Sequence, residues 1–165
     1  MKIELKNIKH SEFASQETNC YQATIYIDGK RVGTVENDGH GGCDNVHPWQ
    51  VAQQIDAYAK TLPKTVCSFI DPETGKPAEM EQTHETIFGD ILTSWLMSKD
   101  LKRLMSKRIV FVKEDGNVYE TKALKADQLK LNLNQSRLPE MLKAKTILNL
   151  LPFEQALTIY KGATA

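Results

Sequence analysis

Residues 20–36 have the sequence CYQATIYIDGKRVGTVE, a pattern typical of two β-strands joined by a tight turn. Every second side chain of the first strand is apolar, as expected for burial on one face; these positions are Tyr21, Ala23, Ile25 and Ile27. Asp28-Gly29 supplies a pair that tolerates positive φ, so residues 30–36 can return as the antiparallel partner. Because residues 2–8 alternate in the same way, we predict an N-terminal antiparallel three-stranded sheet within residues 1–36.

Apolar residues then recur every three or four positions in two segments, which indicates amphipathic helices. The first segment is residues 48–62, where Pro48 suits the first helical position and Trp49 falls on the predicted buried stripe. The second is a long central helix over residues 83–107, with Thr83 as its N-cap and Trp95 on its buried side.

The remaining segments complete the predicted order of elements. Residues 71–82 contain two prolines and one glycine, which predicts an exposed loop. A β-hairpin is predicted over residues 108–122, and C-terminal helices over residues 137–162. This order is typical of the α+β class, with the sheet packed on the helices in a single domain spanning residues 1–165.

The chain has 165 residues with 21 basic and 21 acidic side chains, so its net charge is zero, but the two signs are separated along the sequence. Residues 1–98 hold 8 basic and 14 acidic groups, giving −6, whereas residues 99–165 hold 13 and 7, giving +6. Zero net charge argues against strong non-specific binding to nucleic acid. The separation of charge, however, can steer a charged partner toward one part of the molecule.

The expected compartment follows from apolar runs and cysteines. No apolar run approaches the ~18 residues of a membrane-spanning helix, and the first residues lack the apolar core of a signal peptide. Three cysteines without a C-x-x-C motif indicate reduced thiols rather than a disulfide framework. We therefore expect a cytoplasmic protein that does not associate with membranes.

Glycine, histidine and cysteine are concentrated in residues 37–47, NDGHGGCDNVH, between the last predicted strand and the first predicted helix. The residues of interest in this loop are Asp38, Gly39, His40, Gly41, Gly42, Cys43 and His47. The simplest interpretation is structural, in which the three glycines adopt positive φ angles that other residues rarely adopt. On this interpretation no cofactor is expected.

Three chemical interpretations of the loop stay open. A metal site here would use His40, Cys43 and His47, although their spacing is not a standard zinc pattern. The position before a helix N-terminus also suits an anion or a nucleotide, but the lysine that usually accompanies a phosphate-binding loop is missing. Cys43 could also serve as a nucleophile that His40 or His47 activates.

Two stretches carry a resemblance: residues 26–42, YIDGKRVGTVENDGHGG, and residues 89–113, which begin GDILTSWL and continue into the basic hairpin. Both resemble small, mostly uncharacterised accessory proteins of bacteriophages, prophages and plasmids. The resemblance implies a class rather than a chemistry, because such proteins often bind and inhibit a bacterial target, including components of defence systems. It implies no catalytic residues.

The leading hypothesis is therefore a non-enzymatic protein that binds and inhibits a bacterial host protein. Its predicted partner surface consists of Lys99, Lys102, Arg103, Lys107 and Arg108, several of which lie three or four residues apart and so share a helix face. Two alternatives are a small metal- or nucleotide-dependent enzyme that uses loop 37–47 and a nucleic-acid-binding module that uses the basic segment 99–113. The sequence contains no signal for the oligomeric state.

Overall fold

The structure, a computed structural model, describes residues 1–164, apart from the side chain of residue 68. It is 37% helical and 28% strand with antiparallel sheets, which confirms the α+β class. The chain divides into two compact units, Met1–Leu92 and a second unit that begins at Thr93. The assignment of residues 1–165 to a single domain stays a prediction.

The first unit is organised around an antiparallel sheet of four strands in the order β1-β2-β3-β4. The strands are β1 (Ile3–Ser11), β2 (Cys20–Ile27), β3 (Lys30–Asn37) and β4 (Asn45–His47). The three predicted strands are present, and Asp28 and Gly29 have the positive φ angles expected of their turn. The fourth strand was not predicted, because three residues are too few to show an alternating pattern.

One face of this sheet and helix α1 (Trp49–Ala59) provide buried apolar side chains. The buried sheet residues include Leu5, Ala23, Ile25, Ile27 and Val35. The buried stripe of α1 is Val51, Ile55 and Ala59. The prediction that Trp49 is a core residue is wrong: Trp49 is 59% exposed. It lies two residues before Val51, about 200° around the helix from the buried stripe.

A separate two-stranded sheet follows α1. It consists of β5 (Thr65–Ile70) and β6 (Pro77–Met80), and the register between them shifts between Val66 and Ile70. The prediction of a loop over residues 71–82 is therefore wrong for residues 77–80, although residues 71–76 do form the turn and residues 81–82 belong to no strand or helix. Pro77 is compatible with a strand here because β6 has a neighbour on one side only.

Helix α2 (His84–Met105) confirms the long central helix and continues from the first unit into the second. Thr83 precedes it, and the Thr83 hydroxyl accepts a hydrogen bond from the Thr86 N–H at 3.4 Å, as expected of an N-cap residue. In the first unit, α2 buries Phe88 and Leu92 completely. In the part of the chain that the structure describes, no helix is both long and apolar enough to span a membrane.

The second unit contains the predicted hairpin and three further helices. The hairpin strands are β7 (Val110–Val112) and β8 (Val118–Glu120), and β9 (Thr146–Ile147) pairs with the other side of β7. The helices are α3 (Ala126–Leu133), α4 (Leu138–Leu142) and α5 (Phe153–Thr164), with a 3-10 turn at Leu148–Leu150. Leu101, Val110, Leu148 and Ala156 form the centre of one apolar cluster.

Asn149 fixes the chain where α2 ends in the second unit. Its side-chain oxygen accepts a hydrogen bond from the Val110 N–H at 2.7 Å. Its side-chain nitrogen donates to the carbonyls of Met105 and Arg108 at 3.2 and 2.9 Å. The Met105 carbonyl is one of the groups that the last turn of α2 leaves without an intrahelical partner, and the same Asn149 side chain also binds the backbone of the segment that leads into β7.

Leu92→Ala should lower the free energy of unfolding by about 2–5 kcal/mol, because the substitution leaves a cavity around a side chain that is only 1% exposed. Leu131→Ala is the matched control, since it removes the same atoms from a side chain that is 66% exposed. Chemical denaturation followed by circular dichroism measures both variants. Equal losses for the two would contradict the burial of Leu92.

Candidate functional site

Loop 37–47 is organised by the side-chain amide of Asn37. The amide oxygen accepts hydrogen bonds from the Thr18 hydroxyl at 2.8 Å and the Gly39 N–H at 2.9 Å. The amide nitrogen donates to the Gly42 carbonyl at 2.9 Å and to Asp44 Oδ1 at 3.1 Å. One planar group therefore uses its full hydrogen-bonding capacity to fix the loop.

Gly39 and Gly41 are required by the loop, whereas Gly42 is not. The φ angles of Gly39 and Gly41 are +88° and +85°, and a Cβ atom at Gly39 would lie 2.1 Å from the Ala14 carbonyl oxygen. The Gly39 carbonyl itself accepts hydrogen bonds from three consecutive backbone N–H groups, those of residues 16, 17 and 18. The prediction of positive φ is wrong for Gly42, whose Cβ would also meet nothing within 4 Å.

Asp44 connects the loop by hydrogen bonds to Tyr21 on β2 and to Glu85 on α2. The Tyr21 hydroxyl donates a hydrogen bond to Asp44 Oδ2 at 2.6 Å, and the Asp44 N–H donates to Glu85 Oε1 at 3.1 Å. Burial, together with the Asp44 carboxylate, raises the pKa of Tyr21 far above its ordinary value. Tyr21 therefore stays protonated near neutral pH, which is the state in which it donates a hydrogen bond to Asp44.

An open cleft of about 900 Å³ lies beside the loop. Its titratable lining residues are Lys9, His10, Cys20, Tyr21, Glu36, Asp38, Cys43 and Asp44. Among the loop residues of interest, Asp38, Gly42 and Cys43 line this cleft, whereas His40 and His47 do not. The cleft thus combines one lysine with three carboxylates, an arrangement without the concentrated positive charge that a phosphate group needs.

The structure does not bring His40, Cys43 and His47 together as metal ligands. Over residues 1–164, three or more His, Cys, Asp or Glu side chains are nowhere grouped in a way that could hold a metal ion. The Glu85 carboxylate, which accepts a hydrogen bond from the Cys43 thiol, raises the pKa of that thiol. A raised pKa is the reverse of what activates a nucleophilic cysteine, because it lowers the thiolate fraction.

Several backbone N–H groups of the loop already donate hydrogen bonds to side chains of the protein. The Gly39, His40 and Gly41 N–H groups donate to the side chains of Asn37, Asp38 and Thr18, respectively. A phosphate-binding loop instead presents such N–H groups to its ligand. The geometry therefore favours the structural interpretation of loop 37–47 over an anion or nucleotide site.

In the second unit, α2 presents an exposed basic face formed by Lys99, Lys102 and Arg103. The Lys99 ammonium lies 5.1 Å from the centre of the Trp95 ring, and the Lys102 ammonium lies 4.8 Å from the centre of the Phe153 ring. Such cation–π contacts hold flexible lysine side chains against the helix surface. We call this set of three cations and two rings the basic face.

Asp100 and Tyr160 form hydrogen bonds that hold Arg103 of the basic face in place. Asp100 accepts a hydrogen bond from Arg103 Nη2 at 2.5 Å and another from the Tyr160 hydroxyl at 2.8 Å. The Arg103 guanidinium lowers the pKa of Asp100, whereas burial raises the pKa of Tyr160 to about 12. Asp100 is therefore ionised and Tyr160 protonated at neutral pH, so each keeps the state that its hydrogen bonds require.

The other two predicted basic residues differ from this set. Lys107 is exposed just past the end of α2. Arg108 is half-buried and forms an ion pair with Glu120 on the neighbouring strand β8. The structure therefore groups Lys99, Lys102 and Arg103 as predicted, while Arg108 has a structural partner on the hairpin.

Several residues of these sites could not be found from the sequence. Tyr21, Asn37 and Glu85 hold the loop, but they lie on β2, on β3 and on α2, and no spacing links them. Phe153 is 51 positions from Lys102, so its ring contact has no local signal either. Only the contact between Trp95 and Lys99 could be predicted from the sequence, because residues four apart are neighbours on a helix surface.

Comparison with known proteins yields no match: no protein-family model, curated protein or solved structure matches this chain.

Gly39→Ala should lower the free energy of unfolding by more than about 1–2 kcal/mol, since a left-handed φ alone costs an L-residue that much. The added methyl group would also collide with the Ala14 carbonyl. Gly42→Ala is the control and should change stability by no more than about 0.5 kcal/mol. Thermal and chemical denaturation measure both, and a loss at position 42 as large as that at 39 would contradict this account of the loop.

Glu85→Gln should lower the pKa of the Cys43 thiol and so speed its alkylation by iodoacetamide severalfold at mildly alkaline pH. The reason is that the variant removes the negative charge that disfavours the thiolate. Peptide mass spectrometry separates Cys43 from Cys20 and Cys67, and Glu81→Gln, at an exposed position, controls for the change of net charge. An unchanged rate would show that Glu85 does not govern this thiol.

Proposed function

We propose that this chain is a non-enzymatic accessory protein of a bacteriophage or other mobile element that binds and inhibits a host protein in the bacterial cytoplasm. A component of a defence system is the class of target that the resemblance of residues 26–42 and 89–113 favours. The observation that carries the proposal is the basic face of α2, in which lysines are held over aromatic rings.

The composition of the basic face suits recognition of a protein. Binding energy at protein interfaces is concentrated in a few aromatic and arginine residues, and Trp95, Phe153 and Arg103 provide both types within one surface. Lys99 and Lys102 are already held by the rings, so less side-chain entropy is lost when a partner binds. A target that presents carboxylates around an apolar centre would complement this surface.

The charge of the second unit extends the same argument to longer range. From residue 93 onward the chain holds 13 basic and 7 acidic groups, giving +6, and residues 1–92 hold 8 and 14, giving −6. The boundary between the two compact units therefore coincides with the change in sign. A positively charged unit accelerates its encounter with an acidic surface and makes the association rate sensitive to salt.

The enzyme alternative has weaker support from the same structure. The Gly39 and Gly41 N–H groups of loop 37–47 already donate to the side chains of Asn37 and Thr18, and the Cys43 thiol has a raised pKa. A module that binds single-stranded nucleic acid uses open aromatic faces on which bases stack. At Trp95 and Phe153 a lysine ammonium lies over the ring, which favours a protein partner.

The experiment that tests the proposal compares capture from a bacterial lysate by the wild-type chain and by a Lys102→Glu/Arg103→Glu variant. The captured protein is then purified, and its activity is measured with and without the chain. Inhibition by the wild type supports the proposal. Binding of DNA or RNA with a steep salt dependence and no protein target would instead favour the nucleic-acid module.

Lys102→Glu/Arg103→Glu should slow association with the target by about tenfold at low salt and flatten its salt dependence, because two attractive charges become repulsive. Surface plasmon resonance measures the rate constants. Lys122→Glu/Lys125→Glu changes the net charge equally at exposed positions outside the basic face and serves as the matched control. If both double variants associate equally fast, the basic face is not the binding surface.

A further inference from the structure

Trp49 of helix α1 borders a groove in the first unit. The groove has a volume of about 430 Å³, and its apolar wall is formed by Val46, Trp49 and Ala52. It extends to the first turn of α2, and all of its lining residues belong to the first unit. Because Trp49 is 59% exposed, this concave surface contains a large aromatic side chain that the protein leaves uncovered. Pockets that combine an aromatic wall with a few polar groups are typical binding sites.

The rim of the groove is negatively charged. Its carboxylates are those of Asp44, Asp56 and Glu85, and among the described lining residues His84 is the only basic one. The His84 ring already has a partner, since its Nδ1 lies 2.8 Å from Asp56 Oδ1. The N-termini of α1 and α2 also lie at the groove, and each contributes about +0.5 of an elementary charge. The three carboxylates therefore leave the groove with about two negative charges when His84 is neutral.

The Cys43 thiol, which also lines the groove, reports the same negative potential. Its hydrogen bond to Glu85 and the charges of Glu85 and Asp44 raise the pKa of this thiol. The field of the whole unit acts in the same direction, because residues 1–92 hold 8 basic and 14 acidic groups, giving −6. A cleft lined by one sign of charge attracts ligands of the opposite sign, so the groove favours a cation.

The protein places its own lysines over other aromatic rings but not over Trp49. Lysine ammonium groups lie 4.2–5.9 Å from the centres of five rings, those of Tyr26, Trp95, Phe111, Tyr119 and Phe153. Across residues 1–164, no lysine lies over the Trp49 ring in this way. Indole is the aromatic group that binds cations best. Trp49 is therefore open to a cation from another molecule.

We propose that this groove binds an arginine side chain that a protein partner presents. A guanidinium group is planar and has five N–H donors, so it can stack on the indole of Trp49 while it donates to carboxylates beside the ring. A lysine ammonium is a strongly hydrated point charge, which suits the site less well. The proposal goes beyond the proposed function, because the groove and the basic face belong to different units and attract opposite charges.

The acidic side chains are held in place for such a ligand. Asp56 Oδ1 accepts hydrogen bonds from the His84 N–H at 2.7 Å and from the His84 ring at 2.8 Å, and its Oδ2 can accept from a guanidinium. Glu85 Oε1 accepts from the Asp44 N–H at 3.1 Å, and a carboxylate has further acceptor sites. Because both carboxylates are fixed before a ligand arrives, less side-chain entropy is lost on binding.

NMR titration of the full chain with the peptide acetyl-Gly-Arg-Gly-amide tests the proposal. The signals that report binding are the Trp49 indole N–H and the backbone N–H groups of residues 83–85. We expect a dissociation constant of about 1–10 mM, because the peptide supplies a single ring contact and its accompanying ion pairs. The same peptide with citrulline keeps the shape without the charge and should bind at least about fivefold more weakly. Free arginine should also bind more weakly, since the rim repels its α-carboxylate.

Variants locate the binding site. Glu85→Gln and Asp56→Asn each remove one charge from the rim, so each should raise the dissociation constant of the arginine peptide at least about threefold. Asp90→Asn is the matched control, because it removes a charge from an exposed position of α2 that does not line the groove. Trp49→Leu should abolish saturable shifts at residues 83–85. Circular dichroism of each variant confirms that the chain is folded.

Several results would overturn the proposal. Absence of saturable shifts up to about 30 mM peptide, or equal binding of the arginine and citrulline peptides, would show that the groove does not recognise a guanidinium. Equal weakening by Glu85→Gln and Asp90→Asn would show that only the overall charge matters. Tighter binding of free arginine than of the peptide would identify a small molecule as the ligand. A wild-type dimer that Trp49→Leu dissociates in sedimentation equilibrium would identify a second copy of this chain as the occupant.

Discussion

The arrangement of the first unit depends on the hydrogen bonds that the side-chain amide of Asn37 forms. Its four hydrogen bonds join the end of β3 to the segment before β2, to the Gly42 carbonyl and to the Asp44 carboxylate. The Asp44 carboxylate in turn accepts from the Tyr21 hydroxyl, and the Asp44 backbone N–H donates to Glu85, so Asp44 connects the sheet with the first turn of α2. Since β4 and α1 follow directly, their position is set by how the loop is closed.

Much of the fold could be predicted because it rests on local patterns. Alternation in residues 20–36 and three-to-four spacing in residues 83–107 each describe an element by its own residues, and both elements are present. The prediction is wrong where a short segment becomes a strand only because it pairs with another segment of the chain. β4 exists because Val46 lies opposite Val35, and β6 exists because its residues pair with β5. Neither short segment has a period of its own that indicates a strand.

One candidate site could likewise be predicted from local spacing, and the other could not. Lys99, Lys102 and Arg103 share a helix face, and helical spacing alone brings them together. The chemistry of loop 37–47 could not be judged from its sequence alone, because side chains from outside the loop, those of Thr18, Tyr21 and Glu85, bind several of its polar groups. In a loop rich in glycine, histidine and cysteine, several backbone N–H groups thus donate to protein side chains, and Glu85 raises the pKa of the Cys43 thiol.

The two tryptophans provide an optical reporter for each compact unit. Trp49 belongs to the first unit and is largely open to solvent, whereas Trp95 belongs to the second and is partly covered beneath the Lys99 ammonium. Their emission therefore responds to different surroundings. The emission of Trp49 depends on bulk water, and that of Trp95 depends on the lysine charge that lies over its indole ring. Replacing either tryptophan with phenylalanine would leave a single emitter, so unfolding of one unit could be followed without a signal from the other.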